Sequence, residues 1–186
     1  VNDVYVLDTV TMYWEYKPAE LVTTKTVKEG EEEEEDEEEV KRKNKDKKIM
    51  KIRPRAGHSA TLLPRRRIFV FGGQNKQGQI DEPLLLDLNK MEWSRPIIDG
   101  KPPSRRSGHS ACFDGTGKVF IYGGWDGTYQ LDDLHVLNCQ ATDPNKWYWM
   151  VVDVTGYKIG GLCGHTATFI TDRMFVFGGW SNAVFH

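Results

Sequence analysis

A motif built on a Gly-His pair recurs three times along this chain, and each copy is followed by an apolar run that ends in two glycines. The motif histidines, at positions 58, 109 and 165, are 51 and then 56 residues apart, whereas the first glycine of each pair follows its histidine by 14, 14 and 13 residues. A constant short spacing inside a variable long one is typical of a repeat in which fixed strands are joined by variable loops. The motifs are 55–61 (RAGHSAT), 106–112 (RSGHSAC) and 162–168 (LCGHTAT), and the runs are 68–73 (IFVFGG), 119–124 (VFIYGG) and 174–179 (MFVFGG).

A second half-motif alternates with the first. Residues 2–8 (NDVYVLD), 81–87 (DEPLLLD) and 132–138 (DDLHVLN) align without gaps, and each leads to a tryptophan, at Trp14, Trp93 and Trp147. The strand candidates are short, rich in β-branched and aromatic residues, and bounded by Gly, Asn, Asp or Pro. No segment has a convincing helical period. The pattern therefore predicts an all-β chain with four strands in each repeat.

These two half-motifs resemble the Kelch repeat, and the match covers almost everything outside residues 19–52. The resemblance implies a β-propeller, in which each repeat is one four-stranded blade around a central axis. The predicted divisions are the second half of a blade (1–18), a charged insertion (19–52), two complete blades (53–98 and 99–155) and the first half of a blade (156–186).

The predicted blades do not complete a ring. Two blades and two halves make about three blade-equivalents, which is below the four to eight blades of known propellers. Either the chain is part of a larger propeller, or two copies assemble one ring. The first interpretation is favoured, with six blades in the full protein, as the resemblance implies.

The repeated residues are expected to build blades rather than to carry chemistry. Glycine lets a strand turn sharply, and tryptophan can fill the wedge between neighbouring blades. A histidine could be a ligand or a base, but its threefold recurrence favours a buried hydrogen-bonding strut. The predicted structural residues are Gly57, His58, Gly72, Gly73, Trp93, Gly108, His109, Gly123, Gly124, Trp147, Gly164, His165, Gly178 and Gly179.

The insertion separates its charges into two blocks. Residues 29–39 are acidic except at Gly30, and residues 41–51 are rich in Lys and Arg. Blocks of like charge repel themselves and bury little, so this low-complexity segment is predicted to be disordered or weakly helical. It is interpreted as a solvated spacer, ahead of an electrostatic arm that docks a charged partner.

The candidate partner-binding residues lie in loops, because propeller loops carry function while strands supply stiffness. Tryptophan and arginine are enriched at interface hot spots, and arginine can bind a carboxylate through two hydrogen bonds. The candidates are Arg55, Arg105, Arg106, Trp125, Asp126, Tyr129 and Trp180. For Arg55 and Arg106, which are equivalent in the repeat, pairing with an acidic residue of an adjacent loop is the favoured alternative.

Composition narrows the class of function. A net charge of −2 argues against a whole surface that binds nucleic acid or a membrane. Three cysteines without a Cys-x-x-Cys spacing indicate neither disulfides nor a zinc site, and they fit an intracellular protein. A cytoplasmic location is expected, with cytoskeletal, axonemal and nuclear locations as alternatives.

Three functions are compatible with the resemblance. The favoured one is a non-catalytic scaffold that binds a protein or peptide, possibly charged, with no cofactor and no metal. A second is a targeting domain of a larger protein with a catalytic domain, such as a phosphatase, or a ubiquitin-ligase adaptor. The third is a metal-dependent enzyme, but the Glu-x-x-Asp-x-x-x-His signature of the iron-dependent relatives is absent.

Overall fold

The computed structural model describes residues 4–21 and 52–181. Strands make up nearly all of the regular structure of these residues, which confirms the all-β prediction, and the one helix among them is a 3₁₀ turn at Pro144–Lys146. The strands are β1 (Val4–Asp8), β2 (Tyr13–Lys17), β3 (Glu20–Leu21), β4 (Ala56–Leu63), β5 (Arg67–Asn75), β6 (Gly78–Gln79), β7 (Leu84–Asp87), β8 (Glu92–Ser94), β9 (Ser110–Phe113), β10 (Lys118–Tyr122), β11 (Leu134–Asn138), β12 (Tyr148–Met150), β13 (Thr166–Ile170) and β14 (Arg173–Phe177).

Two four-stranded antiparallel sheets form the centre of the described structure. Blade I has the order β4-β5-β7-β8, with the short strand β6 also paired to β5, and blade II has the order β9-β10-β11-β12. Two hairpins flank these blades. We call β1–β2 half-blade N and β13–β14 half-blade C. This arrangement agrees with Kelch propeller blades, and the described residues do not close a ring.

The chain entering each blade runs along that blade's outermost strand. Strand β3 pairs in parallel with β8, and Asp99 makes the corresponding parallel bridge to Tyr148, the first residue of β12. This contact covers part of an edge that would otherwise offer unpaired backbone groups. Residues 20–21, predicted as part of the charged insertion, therefore belong to a strand. The prediction of disorder for residues 22–51 lies outside the described residues.

Aromatic side chains fill the wedge between the two blades. Phe69 and Phe71 are fully buried on the β5 face that meets blade II. Phe69 meets Trp147 edge-on with 6.3 Å between ring centroids, and Phe71 meets Trp149 at 5.8 Å. Edge-to-face aromatic packing of this kind contributes about 0.5–1.5 kcal/mol of stability beyond the contribution from the apolar area that it buries. Leu63, Leu85, Val119, Ile121, Leu137 and Cys139 complete the buried cluster.

The tryptophan equivalent to Trp14 and Trp93 in blade II is Trp149, whereas the sequence alignment predicted Trp147. The strand register sets Trp14 opposite Leu7, Trp93 opposite Leu86, and Trp149, not Trp147, opposite Leu137. The reason is the longer β11–β12 connection. It contains the 3₁₀ turn, so the strand that follows begins later in the sequence than the spacing in the other repeats predicts.

Trp147 nevertheless fills the wedge between the blades, as predicted for a structural tryptophan. Its Nε1 donates to the carbonyl of Ala141 at 2.8 Å, and the guanidinium of Arg67 lies 5.2 Å from the centre of its ring. These contacts hold the ring between the two blades, where it is almost fully buried.

In blades I and II, the first glycine of the pair lies against the following repeat. A Cβ on Gly72 would be 2.6 Å from the carbonyl oxygen of Arg106 and 2.7 Å from Cε1 of His109, closer than side chains can approach. On Gly123 it would be 2.6 Å from the carbonyl oxygen of Leu162. Both glycines also have positive φ angles. The close approach of the following blade therefore requires glycine at these positions.

Candidate functional site

One end of each blade brings together the residues that precede Gly-His and the residues that follow Gly-Gly. In blade II, Ser107 and Trp125 exchange two backbone hydrogen bonds, of 3.0 and 2.8 Å. In half-blade C, Cys163 and Trp180 do the same at 3.0 and 2.9 Å. We call this end the loop face.

Backbone hydrogen bonds join successive blades beneath the loop face. The amide of Gly108 donates to the carbonyl of Gly57, and that of Gly164 donates to the carbonyl of Gly108, both at 2.8 Å. In blades I and II, the second glycine of the pair adds another bond: the amide of Gly73 donates to the carbonyl of Arg106 at 2.8 Å, and that of Gly124 donates to the carbonyl of Leu162 at 2.7 Å. The loops of neighbouring blades are thus held in fixed positions.

The motif histidines connect one blade to the next. Nε2 of His109 lies 2.8 Å from Oγ of Ser59, and Nε2 of His165 lies 2.8 Å from Oγ of Ser110. Burial, with the positive charge of Arg106 as a further cause, lowers the pKa of His109 to about 3, and burial lowers the pKa of His165. Both rings are therefore neutral at physiological pH and occupied in blade packing, which leaves neither available to a ligand.

His58 differs from these two because it lies on the face of blade I that points away from blade II. Its ring is more exposed than theirs, and its pKa is lowered by burial and by the charge of Arg55.

Two of the predicted partner-binding arginines point into their own blades. Arg106 is fully buried and makes hydrogen bonds of 2.7 and 2.8 Å to the two carboxylate oxygens of Asp133. It also donates to the carbonyl of Gly123 at 3.0 Å. Arg55 repeats this arrangement with the carboxylate of Glu82 at 2.8 Å and the carbonyl of Gly72 at 3.1 Å.

These contacts match the alternative pairing with acidic residues. Both side chains are buried, so a partner docking on the loop face cannot reach them. We therefore no longer count Arg55 and Arg106 among the candidate partner-binding residues.

The remaining candidates stay near the surface of the loop face. Trp125 and Trp180 lie side by side with 6.1 Å between ring centroids, and Trp180 is partly exposed. Tyr129 is 66% exposed. Arg105 is exposed and makes no hydrogen bond or ion pair with another described residue that would neutralise it. We call Arg105, Trp125, Tyr129 and Trp180 the aromatic patch.

Asp126 shapes the loop that carries this patch. Its Oδ1 accepts hydrogen bonds from the amides of Thr128 at 2.7 Å and Tyr129 at 2.8 Å. The carboxylate therefore fixes the turn that presents Tyr129, and direct contact of Asp126 with a partner stays a prediction.

Sequence reasoning missed Gln74, which follows the first glycine pair as Trp125 and Trp180 follow the other two. Its Oε1 accepts from Nε2 of Gln79 and from Oγ of Ser107, both at 3.3 Å. Aligning the three residues that directly follow the glycine pairs would have identified Gln74 as a loop-face residue. Gln74 extends the loop face onto blade I with a polar surface.

The buried thiols are poor nucleophiles. Burial raises the pKa of Cys112 and of Cys139 to about 11, and it raises that of Cys163. All three are free thiols in the core, where a raised pKa makes the nucleophilic thiolate scarce. Within residues 4–21 and 52–181, no three His, Cys, Asp or Glu side chains are grouped so as to hold a metal ion. Those same ranges contain no helix with the length and apolar character needed to cross a bilayer.

Comparison with known proteins gives consistent matches. The family model described as the KLHDC2/KLHL20/DRC7 Kelch-repeats domain matches residues 36–186. Kelch domain-containing protein 3 of Rattus norvegicus is 34% identical over 127 residues, which are 67% of this chain and 32% of that protein. Acyl-CoA-binding domain-containing protein 5 of Arabidopsis thaliana is 31% identical over 129 residues, or 69% of this chain and 19% of the relative.

The Rho GTPase-activating protein gacHH of Dictyostelium discoideum is 40% identical over 124 residues, which are 66% of this chain and 8% of that protein. The matched region thus spans about a third or less of each of these curated relatives.

Proposed function

This chain belongs to the Kelch-repeat family, and from that premise we propose that it is a protein-interaction module whose loop face binds an acidic segment of a partner protein. The observation that carries the proposal is the aromatic patch, where exposed aromatic rings lie at the same end of the blades as an arginine with no acidic partner among the described residues. Tyrosine, tryptophan and arginine are the side chains that most often dominate binding energy at protein interfaces.

The preference for an acidic partner rests on the contrast between Arg105 and its neighbours. Arg55 and Arg106 are neutralised by Glu82 and Asp133. Arg105 keeps its charge at the surface, and its planar guanidinium can bind a carboxylate through two parallel hydrogen bonds. The backbone bonds between blades support this role because loops held in place lose little entropy on binding.

We also propose that the chain is non-catalytic, needs no cofactor, binds neither nucleic acid nor a membrane, and works inside the cell. The free thiols support the intracellular location, the neutral, buried His109 and His165 support the non-catalytic role, and the net charge of −2 is the ground for proposing neither nucleic-acid nor membrane binding. The cytoplasm is the proposed location, with cytoskeletal, axonemal and nuclear locations as alternatives.

A second candidate function is that of a targeting domain within a larger protein. The observation in its favour is the small share of the relatives that this chain matches, 19% of the acyl-CoA-binding domain-containing protein and 8% of the Rho GTPase-activating protein. In this alternative the loop face still binds a partner. A catalytic domain, such as a phosphatase, or a ubiquitin-ligase adaptor segment would then act on what has been bound.

Selection from a peptide display library, followed by fluorescence anisotropy with the selected peptides, tests the proposal. We expect acidic peptides, with affinity that falls as salt is added. Arg105→Ala and Tyr129→Ser should each weaken binding about fivefold to tenfold, equivalent to the 1 kcal/mol or more lost at an interface hot spot.

Lys90→Ala is the matched control, because Lys90 is an exposed cation in the β7–β8 turn, at the end of blade I away from the loop face. If both loop-face variants bind the peptides as tightly as the unmodified chain, the aromatic patch is not the binding site. Selection of uncharged peptides would contradict the preference for acidic partners.

A further inference from the structure

The connection between the second and third strands of blade I forms a small hairpin on the loop face. Strand β6 pairs with the end of β5, and this pairing places Gln74 opposite Gln79. Oδ1 of Asn75 accepts a hydrogen bond from the amide of Gln77 at 2.8 Å, and Gly78 has a φ of 119°. The turn is therefore closed by its own side chain and by a backbone angle that favours glycine.

The side chains of Gln74 and Gln79, which we call the amide pair, are bonded to each other. Nε2 of Gln79 donates to Oε1 of Gln74 at 3.3 Å, and Oγ of Ser107 donates to the same oxygen at 3.3 Å. Nε2 of Gln74 and Oε1 of Gln79 have no hydrogen-bond partner in the described part of the chain. Two adjacent side chains thus offer a partner N–H donors and a carbonyl acceptor.

Blade II fixes the amide pair beside the aromatic patch. Oε1 of Gln79 lies against Gly127, where an added Cβ would be 2.8 Å from this oxygen. Ser107, which holds the side chain of Gln74, exchanges two backbone hydrogen bonds with Trp125. Side chains that are already held in place lose little freedom when they bind a partner.

Arg105 lies next to the amide pair. The amide of Arg106 donates to the carbonyl of Ile80 at 3.3 Å, and these two residues directly follow Arg105 and Gln79 in the sequence. A segment that places a carboxylate on Arg105 therefore passes close to the amide pair.

The equivalent hairpin position of blade II carries a different pair of side chains. A backbone bridge places Trp125 opposite Gln130, as β6 places Gln79 opposite Gln74 in blade I. The loop face is thus polar on blade I and aromatic on blade II.

We propose that the acidic partner segment binds in an extended conformation, with one of its peptide groups bonded to the amide pair; this inference rests on the proposed function. Oε1 of Gln79 accepts from the N–H of the segment, and Nε2 of Gln74 donates to its carbonyl. An extended segment has these backbone groups free, whereas those inside a helix bond to each other. Main-chain bonds of this kind add affinity for any sequence, so the choice of partner is left to Arg105 and the aromatic patch.

Methylation of the peptide backbone tests this bond. The probe is the tightest-binding acidic peptide from the display selection, with each peptide nitrogen methylated in turn. At one position we expect methylation to weaken binding about fivefold or more, because it removes the N–H that Gln79 accepts. The same methylation should have no further effect on binding to Gln79→Leu, which has already lost the acceptor. Losses that are equal for both chains at every position would overturn the proposal.

Substitution of the amide pair provides a second test by fluorescence anisotropy. Gln74→Leu and Gln79→Leu should each weaken binding of the unmethylated peptide about fivefold, since each removes one hydrogen bond. Gln77→Leu is the matched control, because it makes the same change at an exposed residue of the same hairpin. Its affinity should equal that of the unmodified chain, and all three variants should keep its melting temperature.

The failure of this inference can be told apart from the failure of the proposed function. If Gln79→Leu binds normally and Arg105→Ala binds weakly, the partner uses the aromatic patch but its backbone is not held by the amide pair. That result would overturn this inference alone. If both variants bind the peptide normally, the loop-face site is wrong as well.

Discussion

Between blades I and II, and between blade II and half-blade C, a histidine is kept from water and bonded to the serine that follows the motif histidine of the preceding blade. The Nδ1 atoms of His109 and His165 have no hydrogen-bond partner among the described residues. A neutral ring with its proton on Nε2 leaves only an unpaired acceptor there, whereas a charged ring would bury an unpaired N–H. This cost explains why the joint favours neutral histidine.

The joint should make stability depend on pH. Folding lowers the pKa of His109 from 6.5 to about 3, so only the unfolded chain gains a proton on this residue between these values. Its contribution to stability is therefore complete above pH 6.5 and is lost as the pH falls towards 3, at up to about 1.4 kcal/mol per pH unit. Urea unfolding at a series of pH values should show a shallower dependence for His109→Gln. An unchanged slope would mean that His109 is protonated in the folded protein.

Glycine substitution should separate backbone strain from contact between blades. Gly115→Ala, at a positive φ with open space around its Cβ, should cost about 1–2 kcal/mol of unfolding free energy. Gly72→Ala adds a collision with Arg106 and His109, so it should cost about 1–3 kcal/mol more. Urea unfolding of both variants measures the difference. Equal costs would show that the neighbouring blade can move aside.

At the scale of the elements, the strands that recur in every repeat could be predicted from the sequence. Features that depend on the length or surroundings of one connecting segment could not. The Gly-His…Gly-Gly frame and the second half-motif together identified the strands of both complete blades because both recur in register. Trp149 was missed because the 3₁₀ turn lengthens the β11–β12 connection, and strand β3 because it lies next to a charged segment. The loop-face candidates were chosen by residue type, and residue type does not reveal that Arg106 turns inward to Asp133.

The Arg106–Asp133 pair ties the start of blade II to the segment before β11. Burial would raise the pKa of Asp133, but hydrogen bonds from Arg106 and His135 hold it well below its usual range. Asp133→Asn would leave a buried guanidinium without its counter-charge. Because the Asp133 side chain is 39% exposed, we expect a loss of about 2–3 kcal/mol, less than for a fully buried pair. Asp132→Asn, at the exposed neighbouring residue, is the control, and a loss of the same size there would contradict this role.

At the scale of the whole molecule, each described blade contacts only its neighbours in the sequence, so order should decrease from the two complete blades outwards. Hydrogen exchange in dilute protein should be at least about a hundredfold slower for amides of β5 and β10 than for those of β2 and β14. The inner strands lie in the buried core, whereas the hairpins expose much of their apolar surface. Uniform protection across the described strands would instead indicate that the hairpins unfold only together with the blades.

The repeated joint also bears on how a gene for such a chain can change. Ser59 meets His109 through the same atoms with which Ser110 meets His165. Recombination between equivalent points of two repeats would therefore remove or duplicate one whole blade and still leave a matching histidine and serine at the new junction. A deletion that ends elsewhere in the repeat would leave one of the two without its counterpart. Selection should accordingly retain changes in length that correspond to complete repeats.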